Sequence, residues 1–254
     1  MKKWACITGA TAGIGAATAR RLAERGFNLI LLGRRKDRLK QLAGELEKTA
    51  ATLLAPLDIR DYASLAKFVR ENELIFRDLE VLVNNAGLAR GLEKMQDAVV
   101  EDWQEMIDTN VKGLLYLTRL CLPFLLARGR GHIVNIGSVA GRWVYPGGGV
   151  YCATKFAVRA LTEGLRMDLL GTPLRVTNVE PGMVETEFSL VRLGDPQKAA
   201  NVYAKLQPLR AEDIAETIEW VVDRPAHVNV QEIVIYPTDQ AAVGLVHRTN
   251  KEAP

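Results

Sequence analysis

The sequence predicts an α/β protein: a doubly wound parallel sheet of about seven strands in one domain. Two observations carry that expectation. Short apolar runs alternate with segments of helical periodicity along the whole chain, with no repeat, low-complexity tract or linker to mark a boundary. The runs also close on glycine or polar residues, as at Thr8-Gly9, Gly33-Arg34-Arg35, Asp58 and Asn84-Asn85-Ala86-Gly87. Strands joined by helices in this way form parallel sheets with right-handed crossovers and helices on both faces.

The elements follow in order. A first strand at 4–7 ends in a glycine-rich turn, and a helix rich in small residues (Ala16, Ala17, Ala19) runs from there to Gly26. A second strand is expected at 27–32. Leu39, Leu42 and Leu46 then recur at helical spacing, a third strand at 52–57 closes on Asp58, and Leu65, Phe68 and Val69 form the next helical stripe. A fourth strand spans 79–83. The helix expected at 101–128 is apolar nearly all round from Leu114 onward, which means either a second burial partner such as another subunit or a place inside one large core. Later strands are expected at 133–136, 175–179 and 233–236, with a helix marked by Ile214, Ile218, Val221 and Val222 between the last two.

Composition limits the function classes. The 254 residues are 48% hydrophobic and 25% charged, ordinary for a folded protein. A net charge of +3 is too mild and dispersed for a nucleic-acid partner. Cys6, Cys121 and Cys152 are odd in number and lack metal-type spacing, so no metal is expected, and reduced thiols in a cytoplasmic protein are. No apolar run approaches the ~18–20 residues of a membrane span, and no membrane association is expected.

The chemistry concentrates between Gly137 and Lys155, GSVAGRWVYPGGGVYCATK. Ser138 ends a strand, a Gly/Pro turn follows, and Tyr151 and Lys155 open a helix. Four residues apart, these two share one helix face. A free tyrosine has a pKa near ~10, and a nearby ammonium favours its phenolate, making it a usable general acid/base. Ser138 could hold a substrate oxygen beside it.

The first turn carries a second constellation, Gly9, Thr11, Ala12, Gly13, Ile14 and Gly15, spaced G-x-x-x-G-x-G. Directly after a first strand and opening a helix, such a loop brings backbone amides up to a pyrophosphate. About 20 residues on, an acidic residue would hold the ribose of NAD, whereas arginine accommodates the 2′-phosphate of NADP. Here stand Arg34 and Arg35, with no carboxylate until Asp37. NADP is therefore favoured.

With these motifs in view, the chain resembles the short-chain dehydrogenase/reductase family along essentially its whole length. The matching stretches are TGATAGIG (8–15), Asp58, NNAG (84–87), Asn110, Ser138, Tyr151, Lys155 and PGMVET (181–186). The resemblance implies a Rossmann fold and hydride transfer between nicotinamide and an alcohol or carbonyl carbon, with Asn110, Ser138, Tyr151 and Lys155 as the catalytic set. It also implies that Asp58 and Ile59 flank the adenine, that Asn85, Ala86 and Gly87 line the cofactor cleft, and that Pro181, Gly182, Val184 and Thr186 close over the nicotinamide. Lys155 would also bind the nicotinamide ribose beside Tyr151. Within the family the stretches LILLGRRKDRL, EDWQEMIDTN and PAHVNVQEIVIYPTDQ are most similar to NADP-dependent 3-hydroxy acid dehydrogenases, generally homotetramers.

The substrate is less legible. Residues 183–208 are polar and weakly periodic, follow a strand end, and are expected to form a lid, with a C-terminal tail at 237–254. A hydroxy acid such as serine, allo-threonine, 3-hydroxyisobutyrate or 3-hydroxypropionate needs a carboxylate partner. Arg192 in the lid is preferred, with Arg142 the other candidate. Two alternatives stay open: a reductase of β-ketoacyl thioesters, sugars or ketones, and an NADP-binding redox sensor, although sensors of that type usually lose the Tyr or Lys present here.

Overall fold

The computed structural model describes residues 3–249. Seven parallel strands form the central sheet: β1 (Trp4–Thr8), β2 (Asn28–Leu32), β3 (Thr52–Ala55), β4 (Leu79–Asn84), β5 (Gly131–Ile136), β6 (Leu174–Pro181) and β9 (Glu232–Ile235). Their order is β3-β2-β1-β4-β5-β6-β9, as two short strands, β7 (Val184–Glu185) and β8 (Leu209–Arg210), pair separately. All seven expected strands are present, with ends shifted by a residue or two.

The pleat sorts alternate residues to opposite faces. Ala5, Ile7, Leu29, Leu31, Val81 and Val83 face one way, onto α1 (Gly13–Glu24), α2 (Lys36–Leu46) and α10 (Ala211–Val222). Trp4, Cys6, Ile30, Leu32 and Leu82 face the other, onto α3 (Tyr62–Glu71), the short α4 (Glu73–Phe76) and α6 (Leu114–Arg128). With both faces covered, each strand is apolar on both sides, which is why the runs read as continuous. The direction of strand order reverses between β1 and β4, and the sheet's carboxyl edge opens into a crevice there.

The helix expected at 101–128 has a break of register. It begins as α5 (Val100–Ile107), widens into a π-helical turn at Asp108–Gly113, and continues as α6. By length and composition, the 29-residue run Val100–Arg128 is apolar enough to cross a membrane, contrary to the sequence expectation. In the fold its inner face, Leu117, Cys121 and Leu125, packs on the sheet, while Leu115 and Leu126 are exposed. One face of the sheet, with Cys6, Leu82 and Ile133, covers that inner side.

The segment expected to form a lid, 183–208, is more regular than its sequence suggests. It holds α8 (Phe188–Leu193) and α9 (Pro196–Tyr203), the latter capped by Asp195, whose carboxylate accepts from the amides of Gln197 and Lys198 at 2.8 and 3.0 Å. Within the expected tail, β10 (Gln240–Ala242) and β11 (Leu245–Val246) form a small hairpin, and residues 250–254 lie outside the described residues. All three cysteines are buried and free.

One buried group sets a pH limit on this fold. His132 on β5 is 1% exposed, and its Nε2 lies 2.8 Å from Thr177 Oγ1. Burial, with Arg175 nearby, lowers its pKa to about 3. The unfolded chain takes up this proton below about 6.5, so the folded state loses stability as pH falls from there toward 3, at ~1.4 kcal/mol per pH unit at most. His132→Gln should flatten that part of the acid limb in urea-unfolding curves taken from pH 7 to 4.

Candidate functional site

The ends of β1, β4, β5 and β6 converge on a cleft of about 680 Å³. Its floor is stitched by Thr8, whose hydroxyl accepts the amides of Asn85 and Ala86 at 2.9 and 2.8 Å. Asn85 returns a bond from Nδ2 to the Thr8 carbonyl at 2.9 Å. Gly9 and Gly13 adopt φ of +66° and +51°, left-handed conformations that favour glycine. Gly15 does not line the cleft. A Cβ there would come within 2.5 Å of the Gly9 carbonyl oxygen, so glycine lets the turn fold onto α1.

The N-terminal amides of α1 begin at Ala12, which has no side chain able to cap them, leaving them open to an anion. Around that turn the cleft is lined by Thr11, Ala12, Gly13, Ile14, Arg34, Arg35, Asp58, Ile59, Asn85, Ala86 and Gly87, and further along by Pro181, Gly182, Val184 and Thr186. Backbone donors at a helix start, with two guanidinium groups beside them, suit a dinucleotide carrying an extra phosphate. Asp58 is held by Arg60 in a two-pronged pair of 3.1 and 2.7 Å, and the hydrogen bond from Arg60 keeps its carboxyl below the usual range.

Of the four expected catalytic side chains, Ser138, Tyr151 and Lys155 line the inner end of the cleft, and Asn110 does not. Ser138 ends the β5 connection and accepts the Ala140 amide at 3.1 Å. Tyr151 and Lys155 lie on one face of α7 (Gly149–Asp168), 8% and 6% exposed. Lys155 Nζ donates to the Ile136 carbonyl at 2.8 Å and stands 5.9 Å from the Tyr151 ring centroid. Asn110 sits on the π turn, behind the cleft wall. Its Nδ2 donates to the Leu88 carbonyl at 2.8 Å and Thr154 Oγ1 at 3.0 Å, while its Oδ1 accepts the Leu88 amide at 2.9 Å. A π turn admits one more residue per turn and often marks a functional site; here it swings Asn110 inward beside α7.

Burial pushes the Tyr151 phenol well above its ordinary pKa, with Tyr145 adding to the rise. A hydrogen bond with Ser138 and the Arg192 guanidinium pull it down, whereas Lys155, the lowering influence the sequence suggests, is not among the causes. Burial lowers the Lys155 ammonium to about 8.

The two candidate arginines separate cleanly. Arg142 is absorbed by Glu180 and Glu232 at the sheet edge and does not line the cleft. Arg192 lines it, with Cζ 5.7 Å from the Tyr151 ring centroid. Its Nε donates to the Gly91 carbonyl at 2.9 Å and its Nη1 to Tyr145 Oη at 2.8 Å. Its Nη2 is buried with no hydrogen-bond partner among the described residues. Tyr145 and Gln240, which line this region, were not singled out by sequence; Gln240 Oε1 accepts the Met183 amide at 2.8 Å. Both lie inside stretches quoted above, Tyr145 between Ser138 and Tyr151 and Gln240 at the end of PAHVNVQEIVIYPTDQ, but neither residue was given a role.

A model of the short chain dehydrogenase family matches residues 3–192, three quarters of the chain. The chain belongs to the short chain dehydrogenase family. It is 50% identical over 246 residues to the NADP-dependent 3-hydroxy acid dehydrogenase YdfG of Salmonella typhimurium, spanning 96% of this chain and 98% of that protein. It is also 50% identical over 237 residues to sulfoacetaldehyde reductase 2 of Chromohalobacter salexigens, 92% and 94% of the two chains. Among solved structures, the closed form of serine dehydrogenase complexed with NADP+ superposes with a TM-score of 0.90 at 46% identity, covering 96% of this chain and 99% of that one. This family member is an oxidoreductase acting on CH–OH groups.

The Asn110 contacts make a local prediction. Thr154→Val keeps the shape but removes the oxygen that accepts from Asn110, stranding a buried donor. That should cost ~1–3 kcal/mol in urea unfolding while leaving the helical circular dichroism unchanged.

Proposed function

We propose that the protein transfers hydride between NADP(H) and the 3-hydroxyl or 3-oxo carbon of a small 3-hydroxy acid. NADP is its dinucleotide, and when bound it supplies or accepts the hydride. The observation that carries the substrate class is the unpartnered Nη2 of Arg192, a buried cation donor in the cleft near Tyr151. A buried donor without an acceptor costs ~1–3 kcal/mol, and a substrate carboxylate would relieve it. A short acid buries little apolar surface, so one charge-assisted contact must supply most of its orientation.

In this reading Ser138 holds the substrate oxygen and Tyr151 moves its proton. The raised Tyr151 pKa keeps the phenol protonated at neutral pH, the form that donates to a carbonyl oxygen in the reductive direction. Oxidation needs the phenolate, so its rate should rise as pH increases above neutral. Lys155 orients the ribose side of the cofactor, and Asn110 fixes the wall behind it. Arg34 and Arg35 take the 2′-phosphate. The relatives named for 3-hydroxy acids and serine support this class. The sulfoacetaldehyde reductase supports a second reading, in which Arg192 holds a sulfonate instead. For the assembly we propose a homotetramer, supported by the exposed apolar residues Leu115 and Leu126 on α6 and Phe156 and Met167 on α7. We place it in the cytoplasm, where three free buried thiols stay reduced.

Tyr151→Phe removes only the hydroxyl and should lower turnover ~10²–10⁴-fold while NADPH binding survives. A Phe variant turning over normally would refute the assignment. Arg192→Leu should lower kcat/KM for serine and 3-hydroxypropionate strongly, and Arg192→Lys less so, with neutral alcohols of similar size little affected. The ratio of acid to neutral substrates, followed by NADPH absorbance, decides this. A preference for sulfoacetaldehyde over malonic semialdehyde in the same assay selects the sulfonate reading.

A further inference from the structure

Of the two arginines assigned to the 2′-phosphate, Arg35 already has a partner from the lid, whereas Arg34 faces Glu105 instead, at 3.6 Å. Glu187 stands immediately before α8. Its carboxylate accepts from Arg35 Nη1 at 2.7 Å through one oxygen and from Arg38 Nη1 at 2.5 Å through the other. Arg35 is held from its other side by Thr11 Oγ1, at 3.1 and 2.8 Å. Thr11, Arg35 and Glu187 all line the cleft. Glu187 is thus an anion already seated on the cation that would recognise the phosphate.

We propose that Glu187 is a second determinant of cofactor choice, a lid carboxylate that competes with the 2′-phosphate for Arg35. The hydrogen bond from Arg35 holds the Glu187 carboxyl below its usual range, so the competitor is charged at neutral pH. A 2′-phosphate carries about −1.5 to −2, more charge than one carboxylate, and takes the guanidinium from it. NADP then binds at the cost of one lid contact. NAD offers a neutral hydroxyl and leaves that contact in place. The competition therefore taxes NADP alone.

The contact also bears on the lid. Glu187 begins α8, and the other end of this helix is fastened independently. The Gly91 amide donates to the Arg192 carbonyl at 3.0 Å, and Arg90 Nη1 donates to the Val191 carbonyl at 2.7 Å. Releasing Glu187 frees the cofactor end of α8 while the substrate end stays held.

The inference rests on Arg35 as the phosphate ligand, and the experiment separates the two ideas. Dissociation constants for NADPH and NADH are measured by fluorescence titration of wild type, Glu187→Gln, Arg35→Ala and the double variant, with thermal melts confirming the fold. Glu187→Gln keeps the side-chain size and removes the charge. It should tighten NADPH about two- to fivefold, the range of a partly exposed ion pair, and leave NADH within error. In the Arg35→Ala background most of that gain should vanish, as a double-mutant cycle requires for coupled groups. Unchanged or weaker NADPH binding in Glu187→Gln, or equal tightening of both cofactors, overturns the competition. Unaltered NADPH binding in Arg35→Ala instead overturns the phosphate assignment itself.

Discussion

A buried ammonium is the constraint on which the rest of the site depends. Lys155 is almost fully enclosed, and the cost of desolvating its charge is met by one short bond to the Ile136 carbonyl. That carbonyl lies at the end of β5, where the sheet edge opens. A glycine also lets the backbone after β5 lie against α7: a Cβ at Gly141 would come within 2.7 Å of the Lys155 carbonyl oxygen. Burial of the amine lowers its pKa to about 8.

Polar bonds continue this arrangement into the fold. Asn84 Nδ2 donates to Thr118 Oγ1 and to Asn135 Oδ1, and Asn135 Nδ2 donates to Thr162 Oγ1. The seam joins β4, β5, α6 and α7 just below the cleft. Buried donors paired in this way specify one packing, because slipping any member strands a donor. The apolar sheet supplies the bulk of the burial; the seam and the Asn110 contacts align the helices that carry the site.

Much of this was legible from sequence because the signals are local. Continuous apolar runs such as Leu29–Leu32 and the leucines of α2 are read directly as strand and helix, and the glycine turn at 8–15 and the Tyr151–Lys155 spacing have local geometric meanings. What escaped reading is non-local. No propensity marks the π turn at Asp108–Gly113, which lies where the helix passes α7. The Glu187–Arg35 pair joins residues 152 positions apart, and Gln240 reaches Met183 across 57. The helix α9 is a different case: Asp195 followed by Pro196 is a cap and first-turn signature that was present and unread. The preference for Arg192 over Arg142 rested on the lid alone, because the pairing of Arg142 with Glu180 and Glu232 is non-local.

The shielded thiols have a practical meaning. Cys6 and Cys121 face each other between β1 and α6, where their mutual hydrogen bond and burial hold the Cys121 thiol well above its ordinary pKa, and Cys152 is buried beside Tyr151. An alkylating or chromogenic reagent needs the exposed thiolate, so the native chain is silent to it. Every sulfhydryl signal then reports a molecule that has come apart, Cys152 tracking α7 and the other two the seam between β1 and α6. The chain carries its own chemical clock for opening, with no label to add.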